Sequence, residues 1–169
     1  MRAHGFLATV FFVLALAADR TAAADYGGGG PPSLYGVAPR VSIELRDAHI
    51  ALGAEARFTV FSFGPNVRLD VRPSFDYYIY SGGSLLGLSG DGLFAYDLRS
   101  DAVEPYVGAG LNILIASADN ADTVTRLGLD LLVGFRFLPR QMLQPFAELR
   151  ATVGDINPLL LTGGVLFTF

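Results

Sequence analysis

The stretch TVTRLGLDLLVGFRFL, residues 123–138, decides the fold. Taken alternately, Arg126, Gly128, Asp130, Leu132, Gly134 and Arg136 fall on one side. Leu127, Leu129, Leu131, Val133, Phe135 and Phe137 fall on the other. A repeat of two is that of a β-strand, whose successive side chains point to opposite faces. One face here mixes glycine with charges of both signs, and the other is wholly large and apolar.

The same division recurs outward in both directions. In 66–80, Arg68, Asp70, Arg72, Ser74 and Asp76 oppose Leu69, Val71, Phe75, Tyr77 and Ile79. Glu148 and Arg150 oppose Ala147, Leu149 and Ala151, and Arg40, Ser42 and Glu44 oppose Val41, Ile43 and Leu45. Glu55 and Arg57 oppose Leu52, Ala54, Ala56 and Phe58. With Asp91 and Asp97 from the segment 85–98, these residues make one charged face. Eight strands are predicted, at 37–46, 49–60, 66–80, 85–98, 104–116, 123–138, 144–153 and 158–169. The breaks between them are rich in Gly, Pro, Asn and Asp, the residues that supply turn dihedrals.

Alternation alone also suits a soluble sandwich or a lipocalin-like barrel with the apolar face inward. Three features reverse the assignment. The charged face is balanced in sign and interleaved with small residues, which suits a narrow interior where Arg and carboxylate pair. The apolar faces run unbroken, as a lipid-facing band requires. The chain also begins with an export signal. Lipid cannot satisfy free backbone N–H and C=O groups, so such a sheet must close. The fold class expected is therefore all-β: an eight-stranded antiparallel up-and-down transmembrane β-barrel. Its lumen is filled by paired charges from Arg40, Glu44, Glu55, Arg57, Arg68, Asp70, Arg72, Asp76, Asp91, Asp97, Arg126, Asp130, Arg136, Glu148 and Arg150. Eight strands leave room for side chains and no wide channel, and an even number puts both termini at the periplasmic side.

Composition is consistent with this. The 169 residues are 51% hydrophobic and 17% charged, enough for one domain and too apolar for disorder. Beyond the N-terminus no run reaches the roughly 20 apolar residues of a transmembrane helix. The basic residues are all Arg and scattered, which argues against nucleic-acid binding. There is no Cys, so neither disulfides nor thiolate metal sites are available.

Residues 1–24 read as a secretory signal: Arg2, then the apolar GFLATVFFVLALAA (5–18), then Ala22-Ala23-Ala24 as an A-x-A cleavage site. Cleavage between Ala24 and Asp25 leaves ten arginines against fifteen carboxylates, a net charge of −5. Residues 25–36, DYGGGGPPSLYG, form a Gly/Pro-rich flexible lead-in, and 37–169 the barrel. The lead-in lacks the GK[ST] ending of a phosphate loop.

The last strand ends Gly164-x-x-Phe167-x-Phe169. With EPYVGAGLNI (104–113), QPFAELR (144–150) and LTGGVLF (161–167), this end of the chain resembles the small outer-membrane β-barrel family of the opacity-protein and OmpA-transmembrane type. The resemblance implies that Gly164, Phe167 and Phe169 form a C-terminal assembly signal read by the barrel-assembly machinery. Gly163 stands where that signal has a polar residue. It also implies placement in the bacterial outer membrane, with membrane lipid as partner and an envelope-stabilising, adhesive or host-interaction role. Alternating terminal aromatics suit both β-augmentation by an assembly partner and an interfacial aromatic belt.

Candidate chemistry is sparse. His49 is the one histidine left after signal removal, and Ser42, Ser74, Ser81 and Ser84 show no spacing to it that makes a nucleophile–base pair. Asp119 and Asp122 fall short of a Ca²⁺ loop. No catalytic residue, metal site or cofactor is expected. A non-catalytic envelope protein leads, with a narrow pore or a small-solute or lipid-binding barrel as the alternative, and an outer-membrane lipid-modifying enzyme third.

Overall fold

The computed structural model describes residues 32–80, 83–100, 102–118, 123–155 and 157–169. The expected signal at 1–24 with Ala22 and Ala24, most of the lead-in, and Ser81, Asp119 and Asp122 lie outside the described residues.

Eight strands follow one another: β1 (Ser33–Glu44), β2 (Ile50–Phe63), β3 (Val67–Tyr80), β4 (Gly83–Tyr96), β5 (Val103–Ala118), β6 (Val124–Phe137), β7 (Leu143–Gly154) and β8 (Leu159–Thr168). Each pairs antiparallel with the next, and β1 pairs with β8, closing the barrel. Every strand predicted from alternation is present, with ends displaced by a few residues. The largest displacement is at the start. β1 begins at Ser33, so Ser33 to Gly36, expected in the flexible lead-in, pair with β2 and β8. Closure is the reason: Tyr35, Gly36 and Val37 meet the end of β8, where Phe169 N–H donates to the Tyr35 carbonyl.

Prolines inside strands are unusual, because they cannot donate to the ladder. Pro39, Pro73, Pro105 and Pro145 sit in β1, β3, β5 and β7. The register lapses beside two of them, between Val37 and Arg40 on the β8 side and between Ser74 and Val71 on the β2 side. Opposite Pro73, consecutive residues Glu55, Ala56 and Arg57 are all buried, so Ala56 does not join the exposed apolar face predicted for it. A second irregularity, between Thr59 and Phe61, leaves Val60 as the extra residue of a bulge.

The turns are short at both ends. Their left-handed positions are taken by Ala48 (φ 55), Gly64 (φ 70), Arg99 (φ 56) and Leu138 (φ 52). Three of the four are thus not the Gly, Asn or Asp that turn chemistry favours, and each costs about 1–2 kcal/mol relative to a right-handed conformation. Ring closure of the whole sheet compensates for this local strain.

The core is the lumen. Leu127, Leu129, Leu131, Val133, Phe135 and Phe137 all lie exposed on the outer wall, while Asp130, Leu132 and Arg136 are buried within. The charged residues fill the interior as expected. Phe61, Phe63, Phe94, Phe135, Phe137 and Phe167 form an exposed aromatic band near the end that carries the termini. Among the described residues no helix is long and apolar enough to cross a membrane.

Candidate functional site

The lumen is layered. Nearest the termini, Arg68 pairs with Asp70 at 2.8 Å and with Glu104 at 3.0 Å, and Arg136 pairs with Glu104. Tyr35 stands between the two guanidiniums, its ring centroid 5.1 Å from Arg68 and 5.6 Å from Arg136. Its hydroxyl donates to Asp70 at 2.7 Å and accepts from Arg136 at 3.0 Å. Two cations and two carboxylates balance here.

At mid-height Arg40, Arg57, Arg72 and Arg150 face Glu55, Asp76, Asp91, Asp130 and Glu148. Arg40 bridges Glu55 (3.1 Å) and Asp76, and Arg72 bridges Asp91 (2.7 Å), Glu55 and Glu148. Arg57 donates through Nε to Glu55 at 2.6 Å, with the Tyr106 and Phe146 rings 5.1 and 4.9 Å from its guanidinium carbon. Arg150 reaches four carboxylates: Glu148 at 3.2 Å, Asp130 at 3.5 Å, Asp91 at 3.6 Å and Asp76 at 3.7 Å. Four guanidiniums against five carboxylates leave one negative charge in excess. The most weakly compensated carboxylate is Asp130, whose one guanidinium partner is Arg150. Neutral donors supplement it: Thr152 at 2.5 Å and Asn112 at 3.3 Å.

Glycines make this density possible rather than leaving room for a pore. A Cβ on Gly134 would lie 2.5 Å from the Tyr106 ring, so the ring occupies the space the missing side chain leaves. A Cβ on Gly110 would lie 2.2 Å from Asp91 Oδ1, so Asp91 folds across β5 toward Arg150. Apolar layers bracket the mid-height charges. Leu93, Ala95, Tyr106 and Leu132, with Ala38, Phe146 and Leu166, lie toward the termini. Ala51, Tyr78, Leu114 and Leu160 close the opposite, distal end.

Three residues expected in the charge network are not part of it. Asp97 lies in the turn after β4, where it accepts the Arg99 N–H at 2.6 Å. The strand ends at Tyr96, two residues before the predicted end at 98, and the backbone N–H of Asp97 donates to the Asn66 carbonyl. Arg126 has the inward phase but is exposed at the distal rim, opposite Leu114 and four residues before Asp130, the first buried residue of β6. Glu44 is buried, yet its partners are the turn amides of Arg46 (3.3 Å) and Asp47 (2.6 Å), not an arginine. Conversely, Tyr35, Glu104, Tyr106 and Thr152 belong to the network without having been expected there, and Asn112 joins it through Ser89 and Asp130. The signal for Glu104, Tyr106 and Asn112 was present in the alternation of 104–116. Tyr35 was hidden by the Gly/Pro-rich context before it.

Above the distal apolar layer opens a cup of about 290 Å³, lined by Glu44, Arg46, Asp47, His49, Tyr78, Leu85, Leu114, Asn157 and Pro158. Its floor is apolar and its rim polar. The structure brings Glu44, Asp47 and His49 together at one turn, a grouping the sequence reading did not make.

A closed, eight-stranded, all-antiparallel wall, apolar outside and charged within, decides the architecture. The chain has the fold of the small outer-membrane β-barrels. The N-terminal β-barrel domain of Pseudomonas aeruginosa OprF superposes with a TM-score of 0.63 at 17% identity, over 80% of this chain and 97% of that one. Ail, the attachment invasion locus protein of Yersinia pestis, gives 0.56 at 14% identity, over 80% and 95%. The outer-membrane enzyme PagL gives 0.51 at 12% identity, over 78% and 97%. No family model and no curated protein matches the sequence. At such identities the likeness concerns the barrel fold alone.

Proposed function

We propose that this barrel resides in the bacterial outer membrane as a non-catalytic structural or interaction protein of the envelope. The observation that carries this reading is the lumen, where paired charges fill the space between apolar layers. A pore needs an open lining, whereas here each lumen glycine considered above is covered by a neighbour's side chain. The connections between strands are short at both ends, so little surface projects beyond the membrane for adhesion. Stabilising the envelope is the role that best fits such a barrel.

Placement in the outer membrane is supported by the exposed apolar wall, by the aromatic band at the terminal end and by the likeness to outer-membrane barrels. An even strand number then sets the termini on the periplasmic side and the distal cup outside. The test is fractionation of the native host's envelopes together with planar-bilayer recording of the refolded chain. Recovery in the outer membrane with no steady conductance supports the proposal. A stable conductance returns the narrow pore to first place.

The likeness to PagL favours a second reading, an enzyme acting on lipid. The cup holds His49 as a base, and among the described residues that line it Tyr78 alone carries a hydroxyl. Ser42 is buried below and bonded to Thr162 at 2.7 Å. An unchanged lipid A profile when the chain is deleted would remove this reading, and a changed profile would promote it.

A further inference from the structure

The turn between β1 and β2 reads Glu44-Leu-Arg-Asp47-Ala-His49. One potential ligand atom from each of Glu44, Asp47 and His49 lies within 4.8 Å of the others. All three line the distal cup.

Two independent features point to a cation there. The first is the donor set, one imidazole nitrogen and two carboxylates converging on one side of a tight turn. The second is the state of Glu44. Glu55, Asp70, Asp76, Asp91, Glu104, Asp130 and Glu148 each lie within ion-pair distance of an arginine. Glu44 is also buried, at 6% exposure, and among the described residues no arginine pairs with it. A buried carboxylate without an arginine is costly, and two amide N–H donors offset only part of that cost. Its position on the cup wall, with a His49 ring nitrogen within 4.8 Å, lets a cation from solution complete the neutralisation.

We propose that Glu44, Asp47 and His49 bind one divalent transition-metal ion of the zinc class at the distal mouth of the barrel. The donor set selects the class. Ca²⁺ collects six to eight oxygens and Mg²⁺ keeps an octahedral shell, whereas Zn²⁺ accepts mixed nitrogen and oxygen ligands and commonly takes three from protein with water as the fourth. Metal–ligand bonds of about 2.0–2.2 Å place tetrahedral donors about 3.4 Å apart. Closing from 4.8 Å therefore needs a movement of about 1 Å. Asp47 and His49 are exposed and can supply it by side-chain rotation, while the turn amides hold Glu44 as the fixed anchor. The cup side of the ion stays open to water. Binding does not depend on the membrane assignment; only the claim that the ion faces the cell exterior rests on the proposed function.

The test is calorimetric titration of the full, untagged chain, refolded in detergent, with Zn²⁺. It is backed by the visible absorption of the Co²⁺ complex, which reports tetrahedral nitrogen and oxygen ligation. Expected are one Zn²⁺ per chain, and a loss of affinity of tenfold or more in each of His49→Ala and Asp47→Ala. His4→Ala, at the chain's other histidine, should leave binding unchanged. Both cup variants change exposed turn residues, and unaltered heat-modifiable gel mobility checks that they fold. His49→Gln provides a second variant should alanine disturb the turn. Absence of binding, equal affinity in parent and cup variants (an adventitious ion only), loss on His4→Ala, or Ca²⁺ binding as tightly as Zn²⁺ would each overturn the proposal. Surface labelling of the cup in intact cells reads orientation separately, so its failure would leave the metal site standing.

Discussion

Replacing Arg150 with Met keeps most of the side-chain volume and removes one positive charge from the centre of the lumen. Arg150 is fully buried, and its guanidinium lies 3.2–3.7 Å from the carboxylates of Glu148, Asp130, Asp91 and Asp76. In the variant, Glu148 and Asp91 keep Arg72 and Asp76 keeps Arg40, but Asp130 loses its guanidinium partner. A unit-charge contact at about 3.5 Å with an effective dielectric of about 20 is worth roughly 5 kcal/mol. The contacts are not additive, since three of the four carboxylates stay paired. Breaking one buried pair typically costs about 3–5 kcal/mol, and that is the destabilisation expected. With a urea slope of about 2 kcal/mol per molar, the midpoint of unfolding should fall by about 2 M, read by loss of heat-modifiable gel migration in detergent across a urea series. A second substitution sharpens the experiment. Asp130→Asn removes the orphaned charge while keeping shape, so the double variant should recover half or more of the loss, and a double-mutant cycle should show coupling above 1 kcal/mol. Equal midpoints for parent and Arg150→Met would mean that water solvates these charges, and the sealed lumen described above would be refuted.

Three further expectations follow from the same geometry. Asp130→Asn alone should be neutral or stabilising, because the mid-height cluster carries five carboxylates for four guanidiniums; a fall in urea midpoint comparable to that of Arg150→Met would contradict this count. Leu129 is 58% exposed midway along β6, and Leu129→Arg should destabilise the folded barrel in phospholipid vesicles by about 2–4 kcal/mol if that face meets hydrocarbon, whereas an unchanged refolding midpoint would place the face in water. Gly134→Ala forces the Tyr106 ring aside and disturbs its bond to Glu148, at a cost of about 1–3 kcal/mol by overpacking, measurable by the same urea series, and a neutral result would show that the ring has another resting place.

Strand number, face assignment and the inside-out character were legible in the sequence, because a period of two needs no long-range information and lipid and lumen impose opposite chemistry on alternate residues. Residues such as Asp70, Arg72, Glu148 and Arg150 could be placed inside from their neighbours alone. Pairing could not. Which carboxylate Arg150 serves depends on the register between β6 and β7, where Leu132 sits opposite Arg150, and on Gly110 letting Asp91 cross β5. The ends of strands were equally out of reach. Asp97 and Arg126 continue the alternation in one dimension, but the barrel's rim, set by where neighbouring strands stop, leaves the first in a turn and the second in the open. The extension of β1 back to Ser33 was decided by its neighbours: Ser33 and Leu34 pair with β2, and Tyr35 and Gly36 meet the end of β8, more than 120 residues away. The meeting of Glu44, Asp47 and His49 is local in sequence, yet its meaning is tertiary. It is the barrel around them that buries Glu44, withholds an arginine from it and opens the cup beside His49.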